Sequence, residues 1–394
     1  MARVYLDYAA TTPLDHKVLK AMMPYLKQDF GNASSIHGFG QKALGAVDEA
    51  RKTAADFLGC SSQEIVFTGS ATEANNLAIF GAVKGSKTSK PHIITSQIEH
   101  SAVLEPCREL EKQGAELTYL PVDKDGLVEP AEVKKAIKPN TVLVSIIYAN
   151  NEIGAVQPIA EIGKMLGHAA SAGRRTSKPL FHTDAVQAVN YLECDVKKLG
   201  VDLLTLSAHK IYGPKGVGAL FVKKGSLINP LILGGGHEFG LRSGTENVAG
   251  IVGLAQAIKE IQSPKHKMQN IKIKLLKDKL IKTIFKLIPD ARLNGSASHR
   301  LVNNINLSFN GAEGEAMVIA LDQKGIALST GSACSSKRLE PSHVLLALGL
   351  SEEEAHSSLR ITLGRYTTKE EIEKLLKTLP LIVERLRKIS GYKQ

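Results

Sequence analysis

The sequence predicts an α/β fold, a mostly parallel sheet flanked by helices, followed by a smaller α+β unit at the C-terminal end. Three observations carry this. Short apolar runs alternate with helical patterns through the first two thirds of the chain. Val142-Leu-Val-Ser-Ile-Ile147 is apolar almost throughout, the mark of a strand covered on both faces. Beyond residue 260 the texture changes, as Ser263-Pro264 breaks the pattern and a lysine-rich helical stretch follows.

In chain order, residues 41–58 carry a helical stripe (Ala43, Val47, Ala50, Ala54, Phe57, Leu58), and Ile65-Val66-Phe67 is a short strand. Residues 72–83 read as helix and 91–95 as strand. The runs at 142–147, 180–183, 203–206 and 218–222 complete the strands of the first part. Past Pro264 a helix extends to Leu287. A strand over 304–309, a helix over 313–324 and a Gly/Ser-rich loop at 329–336 come next. Residues 369–390 form an amphipathic helix with Ile372, Leu375, Leu376, Leu379, Ile382, Val383 and Leu386 on one side. This divides the chain into a large domain, 15–259, and a small one, 260–394 together with the N-terminal segment 1–14.

Composition narrows the function. With 394 residues, 43% hydrophobic and 23% charged, the chain is an ordinary globular one, neither disordered nor collagen-like. No apolar run approaches about 18 residues, so no transmembrane segment is expected. Asp7 stands where a signal peptide would be apolar, which points to the cytoplasm. Cys60, Cys107, Cys194 and Cys334 are too widely spaced for a zinc site or a disulfide framework, so no metal is expected in the free protein. The net charge is +11, yet there is no Trp and only 5% aromatic residues to stack on bases, which argues against nucleic acid as a direct partner. Residues 259–292 alone supply +7, ten Lys and Arg against three acids. Ile273, Leu276, Leu280, Ile284 and Leu287 recur there at helical spacing, so the lysines decorate a solvated outer face. Docking of an acidic partner is the alternative.

Gly38-Phe-Gly40-Gln-Lys-Ala43 matches a dinucleotide-binding fingerprint but follows no strand, so the required context is missing. Neither a P-loop nor a G-x-S-x-G elbow occurs. The informative stretch is Leu203-Leu-Thr-Leu-Ser-Ala-His-Lys210, where a lysine ends a buried strand. A desolvated lysine suits Schiff-base chemistry, although a lysine reaching the surface is the commoner outcome. Asp184 lies just past another strand, placed either to partner a protonated pyridine nitrogen or to cap a helix. Phe67-Thr-Gly69-Ser-Ala-Thr72 opens a helix with small residues, as a phosphate cradle or a plain N-cap would.

Taken together, phosphate cradle, aspartate and lysine resemble the cysteine desulfurases of the NifS/IscS group, class V aminotransferases among the fold-type-I pyridoxal phosphate enzymes. The resemblance spans nearly the whole chain. It runs through Tyr5-Leu-Asp-Tyr-Ala-Ala-Thr-Thr-Pro13, Gly69-Ser-Ala-Thr-Glu-Ala-Asn-Asn76, Glu99-His-Ser-Ala-Val103, Asn150-Asn-Glu-Ile-Gly154, Arg242-Ser-Gly-Thr-Glu-Asn247, Gly331-Ser-Ala-Cys334 and Leu359-Arg-Ile-Thr-Leu-Gly-Arg365.

The resemblance implies that Lys210 forms the Schiff base with pyridoxal 5'-phosphate and moves the substrate's Cα proton. Asp184 pairs with the ring nitrogen, Gln187 reaches the ring hydroxyl and His100 stacks on the ring. Ala71, Thr72, Ser207 and His209 hold the phosphate, joined by Thr245 from the partner subunit of a homodimer. Asn151 and Arg360 bind the carboxylate of L-cysteine. Cys334 takes the sulfur as a persulfide, releasing L-alanine, and passes it to an acceptor. That acceptor is expected to be an iron–sulfur scaffold protein, whose cluster Cys334 could contact. A selenocysteine lyase or another class V enzyme is the alternative. Two departures stand out. Phe239 lies where related sequences often carry a basic residue, and Ser171-Ala-Gly-Arg-Arg-Thr-Ser-Lys178 is longer than usual.

Overall fold

The structure, a computed structural model, describes residues 3–171, 178–331 and 340–392, with the side chains of 168–171 excepted. In chain order the strands are β1 (Val4–Tyr5), β2 (Ile65–Thr68), β3 (His92–Ser96), β4 (Glu116–Leu120), β5 (Thr141–Ser145), β6 (Leu180–Asp184), β7 (Leu203–Ser207), β8 (Gly218–Val222), β9 (Arg292–Leu293), β10 (Asn304–Ser308), β11 (Ile326–Ala327) and β12 (Ser358–Thr362).

Seven of them build the main sheet in the order β2-β8-β7-β6-β5-β3-β4. β7, β6, β5, β3 and β4 run parallel, whereas β8 is antiparallel to both its neighbours. Two reversals restore direction, so β2 points the same way as β7. Every residue of β2, β3, β7 and β8 is buried, which explains their unbroken apolar runs. β4 is, with β2, one of the two edge strands. Its half-exposed, alternating residues lack such a run, and the sequence reading passed over it.

Helices cover both faces. The helix Gly38–Leu58 begins at His37, whose side chain accepts the Gly40 N–H, and ends at Gly59 in the left-handed region (φ 70°). The supposed dinucleotide fingerprint is therefore a helix start, and Gly40 is glycine because a Cβ would strike the Ser35 and Asn32 carbonyls. The helix Ala71–Gly85 starts where Ser70 Oγ accepts the Glu73 N–H.

A second core gathers Val4 and Leu6 with Ile273, Leu280, Ile305, Leu307, Leu359, Ile361, Leu375 and Leu379. Its sheet is antiparallel, in the order β12-β10-β9, with β1 and β11 paired in parallel beside it. The lysine-rich stretch is the helix Pro264–Leu287, capped by Ser263, and it packs on the C-terminal helix Lys369–Ser390. Two of its residues depart from the expected face. Leu287 is half exposed, and Lys277 is buried with the apolar stripe. Among the described residues, no helix is long and apolar enough to cross a membrane.

Candidate active site

The carboxyl ends of β2, β3, β6 and β7 meet along one edge of the main sheet, the edge where open α/β sheets bind ligands. A cavity of about 320 Å³ opens there. Ten of the residues singled out in the sequence line it: Ala71, Thr72, His100, Asn151, Asp184, Gln187, Ser207, His209, Lys210 and Arg360. Thr245 does not. It lies with Gly69 and Arg242 in an adjoining depression of about 100 Å³. Cys334 falls outside the described residues, as does the long segment at 172–177; Gly331, three residues before Cys334, is on the cavity wall.

Lys210 follows β7 in a tight turn. Its Nζ donates to the carbonyls of Ala9 and Ala10, the latter at 2.8 Å, so the N-terminal segment presents backbone acceptors to it. Asp184 ends β6 with its carboxylate buried. Oδ2 accepts from Asn75 Nδ2 at 2.7 Å and Oδ1 from the Val186 N–H at 3.0 Å. Asn75 comes from the helix whose N-terminus carries Ala71 and Thr72, so one helix serves two parts of the cavity. Gln187 Nε2 donates to the Ala9 carbonyl.

His100 caps the helix Ser101–Lys112, its Nδ1 accepting the Ala102 N–H at 3.0 Å. In the neutral ring the proton then sits on Nε2. Burial, reinforced by the Lys210 and Lys215 charges, lowers the His209 pKa to about 4 and keeps that ring neutral. Arg360 sits in β12 and is almost wholly buried. It pairs with Asp7 (2.9 Å) and donates to the Asn151 carbonyl (3.2 Å), while its Nε has no hydrogen-bond partner among the described residues. A buried ion pair between residues 353 apart in sequence thus holds this arginine at the cavity.

Two acids on the cavity wall escaped the sequence reading. Glu99 is fully buried; its Oε1 accepts from Ser96 Oγ (2.5 Å) and the Ile147 N–H (2.8 Å), and its Oε2 has no partner among the described residues. Burial raises its pKa to about 8, the nearby Asp184 charge adding to the effect. Glu152 accepts from Ser342 Oγ, and a side chain at Gly331 would collide with it. The signal available was a charged residue set directly against apolar Ile98 or Ile153. Burial pushes the thiols of Cys60, Cys107 and Cys194 up to about 12, which disfavours a thiolate at each.

Residues 4–375 match the family described as Aminotransferase class-V. The chain belongs to that family. Among curated class V relatives, the cysteine desulfurase IscS of Dictyoglomus turgidum is 52% identical over 391 residues, covering 99% of this chain and 97% of the relative. That of Methanosarcina thermophila is 49% identical over 387 residues, 98% and 93% of the two chains. The class V fold is equally plain in solved structures. A NifS-like protein superposes with a TM-score of 0.89 at 36% identity, covering 97% of this chain and all of the other. A structure described as SspA in complex with cysteine gives 0.78 at 40% identity, covering 93% of this chain and all of that one.

Proposed function

We propose that this chain is a pyridoxal-phosphate-dependent cysteine desulfurase. The observation that carries this is the convergence of Lys210, Asp184, a helix N-terminus and Arg360 on one cavity, in a chain about half identical to desulfurases over its full length. The donor set fits the cofactor. Lys210 offers an amine for the aldehyde, Asp184 a buried carboxylate for the ring nitrogen, and Gln187 an amide for the ring hydroxyl. Ala71, Thr72, Ser207 and His209 surround the position for the phosphate. When bound, pyridoxal phosphate supplies the electron sink that stabilises negative charge at the substrate Cα.

The chain's own residues do the rest. Arg360 and Asn151 orient the L-cysteine carboxylate, and the Arg360 fork suits it. Lys210 Nζ takes and returns the Cα proton. His100, on the cavity wall, would hold the ring by stacking. Cys334 Sγ, as thiolate, bonds to the substrate sulfur, and the C–S bond breaks with its electron pair left on carbon. Protonation there gives L-alanine, and the sulfur remains as a persulfide on Cys334. No outside oxidant is needed.

We further assign residues 15–259 to the large domain and 260–394 with 1–14 to the small one. A homodimer in which Thr245 completes the partner's phosphate site fits this reading, as does an iron–sulfur scaffold as sulfur acceptor in the cytoplasm. Cys334→Ser tests the central assignment. It is expected to keep the cofactor's visible absorbance while alanine formation from cysteine falls by a factor of about 10² or more. Unchanged turnover would overturn the role of Cys334.

A further inference from the structure

The turn that carries Lys210 contains an unusual residue. Tyr212 has φ 66°, in the left-handed region that a side chain disfavours, and it is buried. Such a conformation persists only where its surroundings over-determine it. Here they do. The Tyr212 N–H donates to Thr12 Oγ1 (2.8 Å), and that hydroxyl donates to the His209 carbonyl (2.9 Å), bracketing Lys210 from both sides. The Tyr212 carbonyl accepts the Asp15 N–H at 2.9 Å.

The ring is held by residues that follow β12. The Arg365 guanidinium lies 3.8 Å from the Tyr212 centroid, and the backbone N–H of Arg365 donates to Tyr212 Oη at 2.7 Å. Arg365 Nη1 is also paired with Asp15 at 2.6 Å, in a side chain only 6% exposed. Tyr366 meets the Tyr212 ring edge-on, with centroids 5.8 Å apart. Arg365 itself does not line the cavity, yet it follows Arg360 by five residues, just beyond the end of β12.

We propose that Arg365 is a positioning residue for Lys210: by clamping the left-handed Tyr212 turn against Asp15, it sets the lysine amine relative to Arg360. This rests on Lys210 being the cofactor anchor. One segment, residues 360–365, thereby fixes both the carboxylate-binding guanidinium and the amine that must act beside it. Arg365→Met removes the stacked guanidinium and its pair with Asp15 while keeping side-chain length and the backbone N–H, and Arg365→Lys keeps the charge without the planar stack.

Arg387→Met is the control. Arg387 is likewise paired with an acid (Asp290, 2.6 Å) and set over a tyrosine ring (Tyr392, 5.3 Å), but it lines a different depression from the cavity. The measurements are the growth of visible absorbance when apoprotein is mixed with pyridoxal phosphate, and the yield of borohydride-trapped cofactor on the Lys210 peptide. Arg365→Met is expected to slow reconstitution about tenfold and lower trapping, with Arg365→Lys intermediate and Arg387→Met unchanged. Wild-type rates in folded Arg365→Met, or an equal loss in Arg387→Met, would overturn the proposal. If Arg365→Met does not fold, Asp15→Asn decides, since it removes the charge paired with Arg365 Nη1. Slowing of about two- to threefold supports the clamp and an unchanged rate refutes it. Trapping on another lysine in the wild type would instead refute the anchor.

Discussion

Lys210 and Lys277 are both drawn away from water, one at the end of β7 and the other within the lysine-rich helix. Lys210 sits at a cavity where Asp184, His100 and Arg360 also converge, and backbone carbonyls 200 residues earlier in the chain receive its amine. Lys277 lies under its helix, 3.4 Å from its neighbour Asp278, and burial pulls its pKa down. Partial or full burial of an amine is therefore shared by a lysine at the cavity and one away from it. What separates them is company. At the strand end, groups from four distant segments face one space, whereas Lys277 faces its own helix and the Arg300 charge.

The sharpest way to break this contrast is Lys210→Ala. It is expected to abolish the cofactor's visible absorbance and to lower kcat by a factor on the order of 10³ or more, read by spectrum and alanine release. A normal spectrum would place the anchor elsewhere.

A buried acid extends the comparison. Glu99 stays protonated in the folded chain up to about pH 8, whereas an unfolded glutamate ionises near its ordinary 4.5. Across that window the folded state binds the extra proton, so stability falls as pH rises. Glu99→Gln removes the dependence. Its melting temperature relative to wild type is expected to climb on the order of 5 °C between pH 5 and pH 8, followed by thermal denaturation. A flat difference would mean that the carboxyl is already ionised.

The smallest effect is expected at Lys277→Met. An apolar side chain there leaves turnover within about twofold and changes stability by about 1 kcal/mol in either direction, checked by denaturant titration. Loss of cofactor binding would erase the distinction between the two lysines.

Much of this was legible beforehand, for physical reasons. Strands buried on both faces write continuous apolar runs, so β2, β3, β5, β6, β7 and β8 could be read off, and the residues at their ends became site candidates. β12 left no such trace, because Ser358, Arg360 and Thr362 interrupt it with polar groups, the last two buried against partners 353 residues away. The two-residue strands β1 and β11 exist only through each other. The Asp7–Arg360 pair and the Tyr212 clamp join segments hundreds of residues apart, and no local pattern announces them. Leu287 fell off its stripe because the helix ends there.

The paired reversals around β8 also set a timetable. β2 finds its place only beside β8, with Ile65 opposite Phe221, so the helix start at Ala71 waits for some 150 further residues. The segment holding Ala9 and Ala10 waits longer still, since Leu6 and Ala9 are bonded to Thr362 and Val4 lies opposite Ile326. Contacts so distant in sequence close slowly. On the ribosome, the pocket for the lysine amine is thus among the last features to form, after nearly the whole chain has emerged.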